Sequence, residues 1–291
     1  MNYTICNPFL NVNVSSHGGE LQSICTPDKT QYLWQGDPEY WADRAPNIFP
    51  YVARLTDGKY TYRSKTYSLD IHGFLKDSEM LCENHSDSRL VLYFEDTEET
   101  IRQYPFSFRF SICYELKGQT LHITYHIENH SNETMYFGLG GHPGFLVPLD
   151  QTLCFEDYVL QFESGCRPEQ LIFTEDCFVT DAVEEFKLAA DGRLALRHSL
   201  FDRDALILQN AGSEITLASD KSPHSVNVQF DGFPYLGLWH CPRTEAGYIC
   251  IEPWCSLPSR KGVIEDLEQQ KNLISLPLGC SCEKSWSITI R

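Results

Sequence analysis

Two histidines and one glutamate stand in short apolar or glycine-rich settings that could hold a polar head in place. They are His72 in Ile71-His72-Gly73-Phe74, His142 in Gly140-Gly141-His142-Pro143-Gly144-Phe145, and Glu252 in Cys250-Ile251-Glu252-Pro253-Trp254. An imidazole that titrates near neutrality and a carboxylate base are together able to move protons on and off a polar substrate. Gly138, Gly140, Gly141 and Gly144 around His142 allow backbone conformations closed to a Cβ, or a close approach by a ligand. Pro143 then fixes the chain direction. The combination suits a rigid mount for one imidazole, or a structural turn with a hydrogen-bonded histidine.

His72 closes a strand-like stretch, Tyr67 to Ile71, and could equally be a polar cap. Glu252 lies in so apolar a run that burial would require a partner or a task, and burial would raise its pKa towards that of a useful base. The bland alternative is an edge-strand glutamate facing water. Arg54, in Phe49-Pro50-Tyr51-Val52-Ala53-Arg54-Leu55, is a second charge among apolar neighbours, able to fork onto ligand hydroxyls or pair with a carboxylate. Trp34, Trp41, Trp239 and Trp254 offer flat apolar faces, although most aromatics belong to cores. No dinucleotide-binding glycine motif, phosphate-binding loop, His-Glu-x-x-His or Gly-x-Ser-x-Gly elbow is present.

These residues must be positioned by strands. Leu90 to Phe94, Phe106 to Ile112, Leu121 to Ile127 and Ser285 to Ile290 are of strand length and alternate with period two. Lys117-Gly118-Gln119 reads as a hairpin turn, and Asp57-Gly58 and Asp191-Gly192 as stronger turn signals. Helical patterns are few: two turns over Ile264 to Lys271 and another short one over Asp37 to Ala42. With strand signals reaching both ends and no linker or repeat, the chain reads as one antiparallel all-β domain of sandwich type over residues 1–291.

The net charge of −17 argues against nucleic acid or an anionic membrane as the main partner. No basic n-region opens the chain, and no run approaches the roughly 18 apolar residues of a membrane span. A soluble, cytoplasmic protein is expected. The 12 cysteines are scattered, and Cys6, Cys25, Cys113, Cys154 and Cys250 sit beside apolar residues, so reduced core thiols are expected rather than disulfides. Cys280-Ser281-Cys282 lacks a second pair at zinc-ligand spacing.

Taken in order, Trp41…Ala45-Pro46-Asn47-Ile48-Phe49-Pro50, His72-Gly73-Phe74, Gly141-His142-Pro143-Gly144-Phe145, Leu236-Gly237-Leu238-Trp239 and Ile251-Glu252-Pro253-Trp254 resemble the aldose 1-epimerase (galactose mutarotase-like) family, in its lacX-type branch. The resemblance implies a large antiparallel β-sandwich and interconversion of the α and β anomers of a hexose or related aldose. It implies Glu252 as general base at the C1 hydroxyl and His142 as general acid at the ring oxygen, with no metal or organic cofactor. It implies that His72 and Arg54 hold the sugar, with His72 able to share the acid role, and Trp239 and Lys76 are expected as further sugar-binding residues. Two departures stand out: Leu75-Lys76 follows the first histidine motif, and Cys255-Ser256-Leu257-Pro258 follows Trp254. Lys76 leaves a phosphorylated sugar open, and Arg89 and Lys261 are further cations of unknown position. The rivals are a sugar-binding protein that has lost catalysis and a hexose-6-phosphate 1-epimerase.

Overall fold

Period-two burial organises the molecule, for which the computed structural model describes all 291 residues. In the strand Phe108–Lys117, Phe108, Phe110, Ile112, Tyr114 and Leu116 turn inward, and in Thr120–Asn129 so do Leu121, Ile123, Tyr125 and Ile127. The two pair antiparallel from Lys117 opposite Thr120. Only Gly118 and Gln119 form the loop, and Gly118 takes φ +59°, as the first position of a II′ turn requires.

Two large sheets carry the fold. The nine-stranded one runs in the order Arg193–Ala195, Val159–Phe162, Glu214–Ser219, Ser222–Gln229, Ser281–Ile290, Thr120–Asn129, Phe108–Lys117, Arg89–Glu95, Leu81–His85, so the C-terminal strand lies near its middle. The eight-stranded one runs Val179–Glu185, Glu169–Phe173, Leu206–Gln209, Tyr235–Trp239, Tyr248–Trp254, Gly140–Gly141, Asn47–Ile48, with Gly144–Leu146 also paired to Tyr248–Trp254. Their facing side chains share one continuous hydrophobic cluster that includes Phe110, Tyr125, Leu236, Leu238, Ile249, Ile251 and Ile288. An N-terminal meander, Asn2–Cys6, Asn11–Ser15 and Leu21–Cys25, completes the structure with two smaller sheets. The chain is thus an antiparallel β-sandwich. No helix is long and apolar enough to cross a membrane.

Several local expectations are corrected. Ile264 to Lys271 is not helical: Glu265–Asp266 pairs parallel with Lys59–Tyr62, and a turn follows. The cause is the buried Glu265, which takes two hydrogen bonds from the Arg260 guanidinium, at 2.9 and 3.0 Å, and a third from the Arg260 N–H at 3.1 Å, and holds the backbone extended. Asp37 to Ala42 makes a single turn, closed by Tyr40 and Trp41 N–H groups donating to Asp37 O. The one α-helix, Glu98–Gln103, begins at a Thr97/Thr100 capping box that was not anticipated. The strand before His72 ends at Ser68 rather than Ile71. Cys250 is buried as expected, but Cys6 and Cys154 are exposed and Cys25 and Cys113 half-buried. In Asn2–Cys6 the alternation that buries Ile5 turns Cys6 outward.

Candidate active site

The strand Tyr248–Trp254 is buried along its whole length in the middle of its sheet, which removes the edge-strand reading of Glu252. Ile249 and Ile251 point into the sandwich core. Alternation therefore puts Tyr248, Cys250, Glu252 and Trp254 on the opposite face. On one side of this strand, Gly237 stands opposite Glu252 and Trp239 opposite Cys250. On the other, Gly140 pairs with Trp254 and Gly144 with Cys250. The Ile251 N–H donates to Pro143 O between them. That register sets His142 level with Glu252, and the two side chains meet, Nε2 to Oε2, at 3.2 Å.

The glycines of the His142 segment act by close packing. A Cβ on Gly141 would lie 2.6 Å from the Trp286 ring, and one on Gly144 3.0 Å from the Trp41 ring. His142 N–H donates to Pro46 O at 3.0 Å. The imidazole lies against Trp41, with ring centroids 4.9 Å apart, and meets Trp239 edge-on at 5.7 Å. Asn47 secures the neighbouring strand: its amide donates to Gly18 O and Gly19 O, and its oxygen accepts from Tyr125.

His72 arrives from a different element. Its backbone is left-handed, φ +66°, and it is clamped reciprocally to Ala53: His72 N–H donates to Ala53 O at 2.9 Å, and Ala53 N–H donates to His72 Nδ1 at 3.2 Å. Nδ1 is thereby an acceptor, so in the neutral ring Nε2 carries the hydrogen. The ring lies edge-on to His142 at 5.3 Å. Gly73 takes φ +73°, and a Cβ there would fall 2.3 Å from Phe49 O. Gly73→Ala is expected to cost about 2 kcal/mol or more. Urea unfolding checks this, and an unchanged midpoint would mean that the His72 turn is not held as described.

A cavity of about 290 Å³ opens over these groups, near the lower end of the roughly 300–1,000 Å³ usual for ligand sites. All six candidates, Glu252, His142, His72, Arg54, Trp239 and Lys76, line it, as do Trp41 and Trp254. Trp34 does not: it packs behind on Tyr248 and donates from Nε1 to Trp41 O at 2.9 Å. Arg89 lies on the strand Arg89–Glu95, and Lys261 pairs with Asp176 at 3.0 Å; neither borders the cavity. Lys76 Nζ is 2.6 Å from Asp77.

Sequence reasoning missed Asp43, Arg203, Asp204 and Cys177, which also border the cavity. Asp43 lies two residues beyond Trp41 in the first motif and could have been suspected. Arg203 and Asp204 read as ordinary charged loop residues. Asp204 Oδ2 accepts from Cys177 Sγ at 2.9 Å, and burial followed by that carboxylate pushes the thiol up to about 12.

The floor of the cavity is electrically unusual. Glu252 is 1 % exposed and His142 8 %. Burial drives the Glu252 carboxyl well above the ordinary carboxylate range and pushes His142 down to about 4. His72 is pushed well below its ordinary value, first by burial and then by His142, Lys76 and Arg54. His142 Nδ1 and Arg54 Nε are buried without hydrogen-bond partners, and Glu252 Oε2 has none beyond its 3.2 Å approach to His142 Nε2, which lacks hydrogen-bond geometry. Three residues that line one cavity thus carry unpaired polar atoms, a surplus of hydrogen-bonding capacity beside a ligand-sized space.

The family model for aldose 1-epimerase matches residues 1–264. The chain therefore belongs to the aldose 1-epimerase family. Protein LacX of Lactococcus lactis subsp. lactis (plasmid form) is 32% identical over 303 aligned residues, covering 100% of this chain and 99% of that one. Among solved structures, the galactose mutarotase related enzyme of Lactobacillus acidophilus superposes with a TM-score of 0.95 at 34% identity, covering 100% of this chain and 97% of its own. A galactose mutarotase-like protein of Lactobacillus casei also gives 0.95, at 29% identity and full coverage of both chains.

Proposed function

We propose that the protein is a mutarotase: it interconverts the α and β anomers of a hexose by acid–base ring opening and closure, with residues 1–291 working as one domain. The observation that carries this reading is the buried pair His142 Nε2–Glu252 Oε2, 3.2 Å apart at the floor of a sugar-sized cavity. Four exposed thiols, Cys6, Cys82, Cys154 and Cys280, suit a reducing, cytoplasmic setting.

In the proposed cycle the Glu252 carboxylate takes the proton of the C1 hydroxyl. The C1–O5 bond breaks as the C1 carbonyl forms, and O5 takes the proton of His142. Rotation about C1–C2 presents the other carbonyl face. On closure the O5 hydroxyl attacks C1 and returns its proton to His142, while Glu252 returns a proton to the C1 oxygen. The pair holds one proton in total throughout. With the open-chain sugar bound, both groups are neutral, the state that burial favours. Sugar hydroxyls can stabilise the charged state in which the pyranose reacts. His72, neutral with hydrogen on Nε2, acts here as a hydrogen-bond donor rather than a second acid. Arg54 and Lys76 donate to hydroxyls, Asp43 and Asp204 accept from them, and Trp239 covers the apolar face of the ring.

Arg203, bordering the same cavity as Arg54 and Lys76, favours a second reading in which the hexose carries a phosphate. Anomer exchange by NMR on equilibrated glucose, galactose and glucose 6-phosphate, with catalytic amounts of protein, tests both. Acceleration for any of them is expected, and the ranking separates the neutral from the phosphorylated substrate. Binding without acceleration would replace the mutarotase with a non-catalytic sugar-binding protein.

A further inference from the structure

We propose that His142, Cys250 and Glu252 together form an inhibitory site for a thiophilic divalent cation such as Zn²⁺, which competes with the sugar. The inference rests on the acid–base reading above, because the ion would occupy the proposed acid and base.

Cys250 has no part in the proposed proton transfers, yet its position is specific. It lies two residues before Glu252 on the same face of a central strand. Its neighbours across the ladders are Gly144 and Trp239, and His142 stands two residues before Gly144 on the adjoining segment. One ligand atom from each of the three residues lies within 4.8 Å of the others, and all three residues are buried. The 3.2 Å between His142 Nε2 and Glu252 Oε2 is close to the edge of a tetrahedral zinc site, about 3.4 Å for zinc–ligand bonds near 2.1 Å. Glu252 Oε2 is buried with no hydrogen bond beyond its approach to His142 Nε2, so part of the cost of desolvating this metal ligand is already met in the fold.

Charge points the same way. A thiolate and a carboxylate neutralise a dication, and imidazole adds no charge, so the loaded site is neutral in a place where single charges are disfavoured. The thiolate selects zinc over magnesium or calcium. His142 and Glu252 border the cavity and Cys250 lies behind them, so the fourth ligand of a three-residue site would come from the cavity.

Co²⁺ is the probe. The wild type is expected to bind one Co²⁺ per chain with a thiolate-to-cobalt absorption band, lost in Cys250→Ser and kept in Cys280→Ser, which removes an exposed thiol. Zn²⁺ inhibition of anomer exchange, scaled to each protein's own zinc-free rate, should need at least tenfold more zinc in Cys250→Ser but not in Cys280→Ser. Added sugar should displace Co²⁺. Cys250→Ala repeats the test should the serine variant prove unstable. Absence of the band in the wild type, its persistence without Cys250, or unaltered zinc sensitivity would each overturn the site. Absence of anomer exchange on every sugar would instead sink the acid–base reading, and the cobalt spectra would still decide the metal site.

Discussion

Glu252→Gln is expected to lower the rate of anomer exchange by about 10²–10⁴-fold while sugar binding survives, because an amide of the same shape cannot take the C1 proton. The same substitution should raise stability at neutral and alkaline pH. Burial raises the carboxyl's pKa in the folded state above its ordinary value, so between the two the folded protein holds a proton that the unfolded chain has released. Stability contributed by this group is therefore full at acid pH and is lost as pH rises from the ordinary carboxylate value towards the raised one. The glutamine variant escapes that loss. Its thermal midpoint should exceed that of the wild type at pH 8, and the gap should close towards pH 4.5. Full exchange in the variant would remove Glu252 from the base role, and a pH-independent gap would remove its buried ionisation.

His142→Gln should cost a comparable factor, and the double variant should lose little beyond the worse single one, since acid and base act as a unit. The wild-type rate should hold through neutral pH and fall as the pH drops through about 4. There His142 takes a proton while Glu252 keeps its own, and no base remains. His72→Gln should leave that acid limb in place and act mainly on sugar affinity. Were His72 the acid instead, its removal would abolish exchange and the loss of His142 would be tolerated.

The sandwich could be read from the sequence because many of its strands set a buried face against a more exposed one, and the alternation in Thr120–Asn129 or Phe108–Lys117 is written largely in residue type. The sites of His142 and Glu252 could be read because glycine, proline and apolar neighbours around a titratable group are locally unusual. What failed was set by distant partners. Glu265 is held extended by Arg260 and by a strand some 200 positions earlier, so its segment looked helical in isolation. Arg203 and Asp204 reach the cavity only because the loop before Leu206–Gln209 folds over it, and nothing in the loop itself records that. Cys6, Cys25 and Cys113 misled because an apolar neighbour along a strand points to the opposite face, whereas Cys154 lies outside any strand, just before a 3-10 turn.

The level register of His142 with Glu252 has one more consequence. Their separation is set by the spacing of hydrogen-bonded strands, about 4.8 Å in any sheet, while Gly237 on the far ladder leaves room for the Glu252 side chain. Much of the rim, including Ile71, Arg203 and Asp204, comes from turns and loops instead, and Lys76 from a single turn of 3-10 helix. Substitutions can therefore remodel the rim, and with it the choice of ligand, while the ruler beneath goes on measuring the same distance.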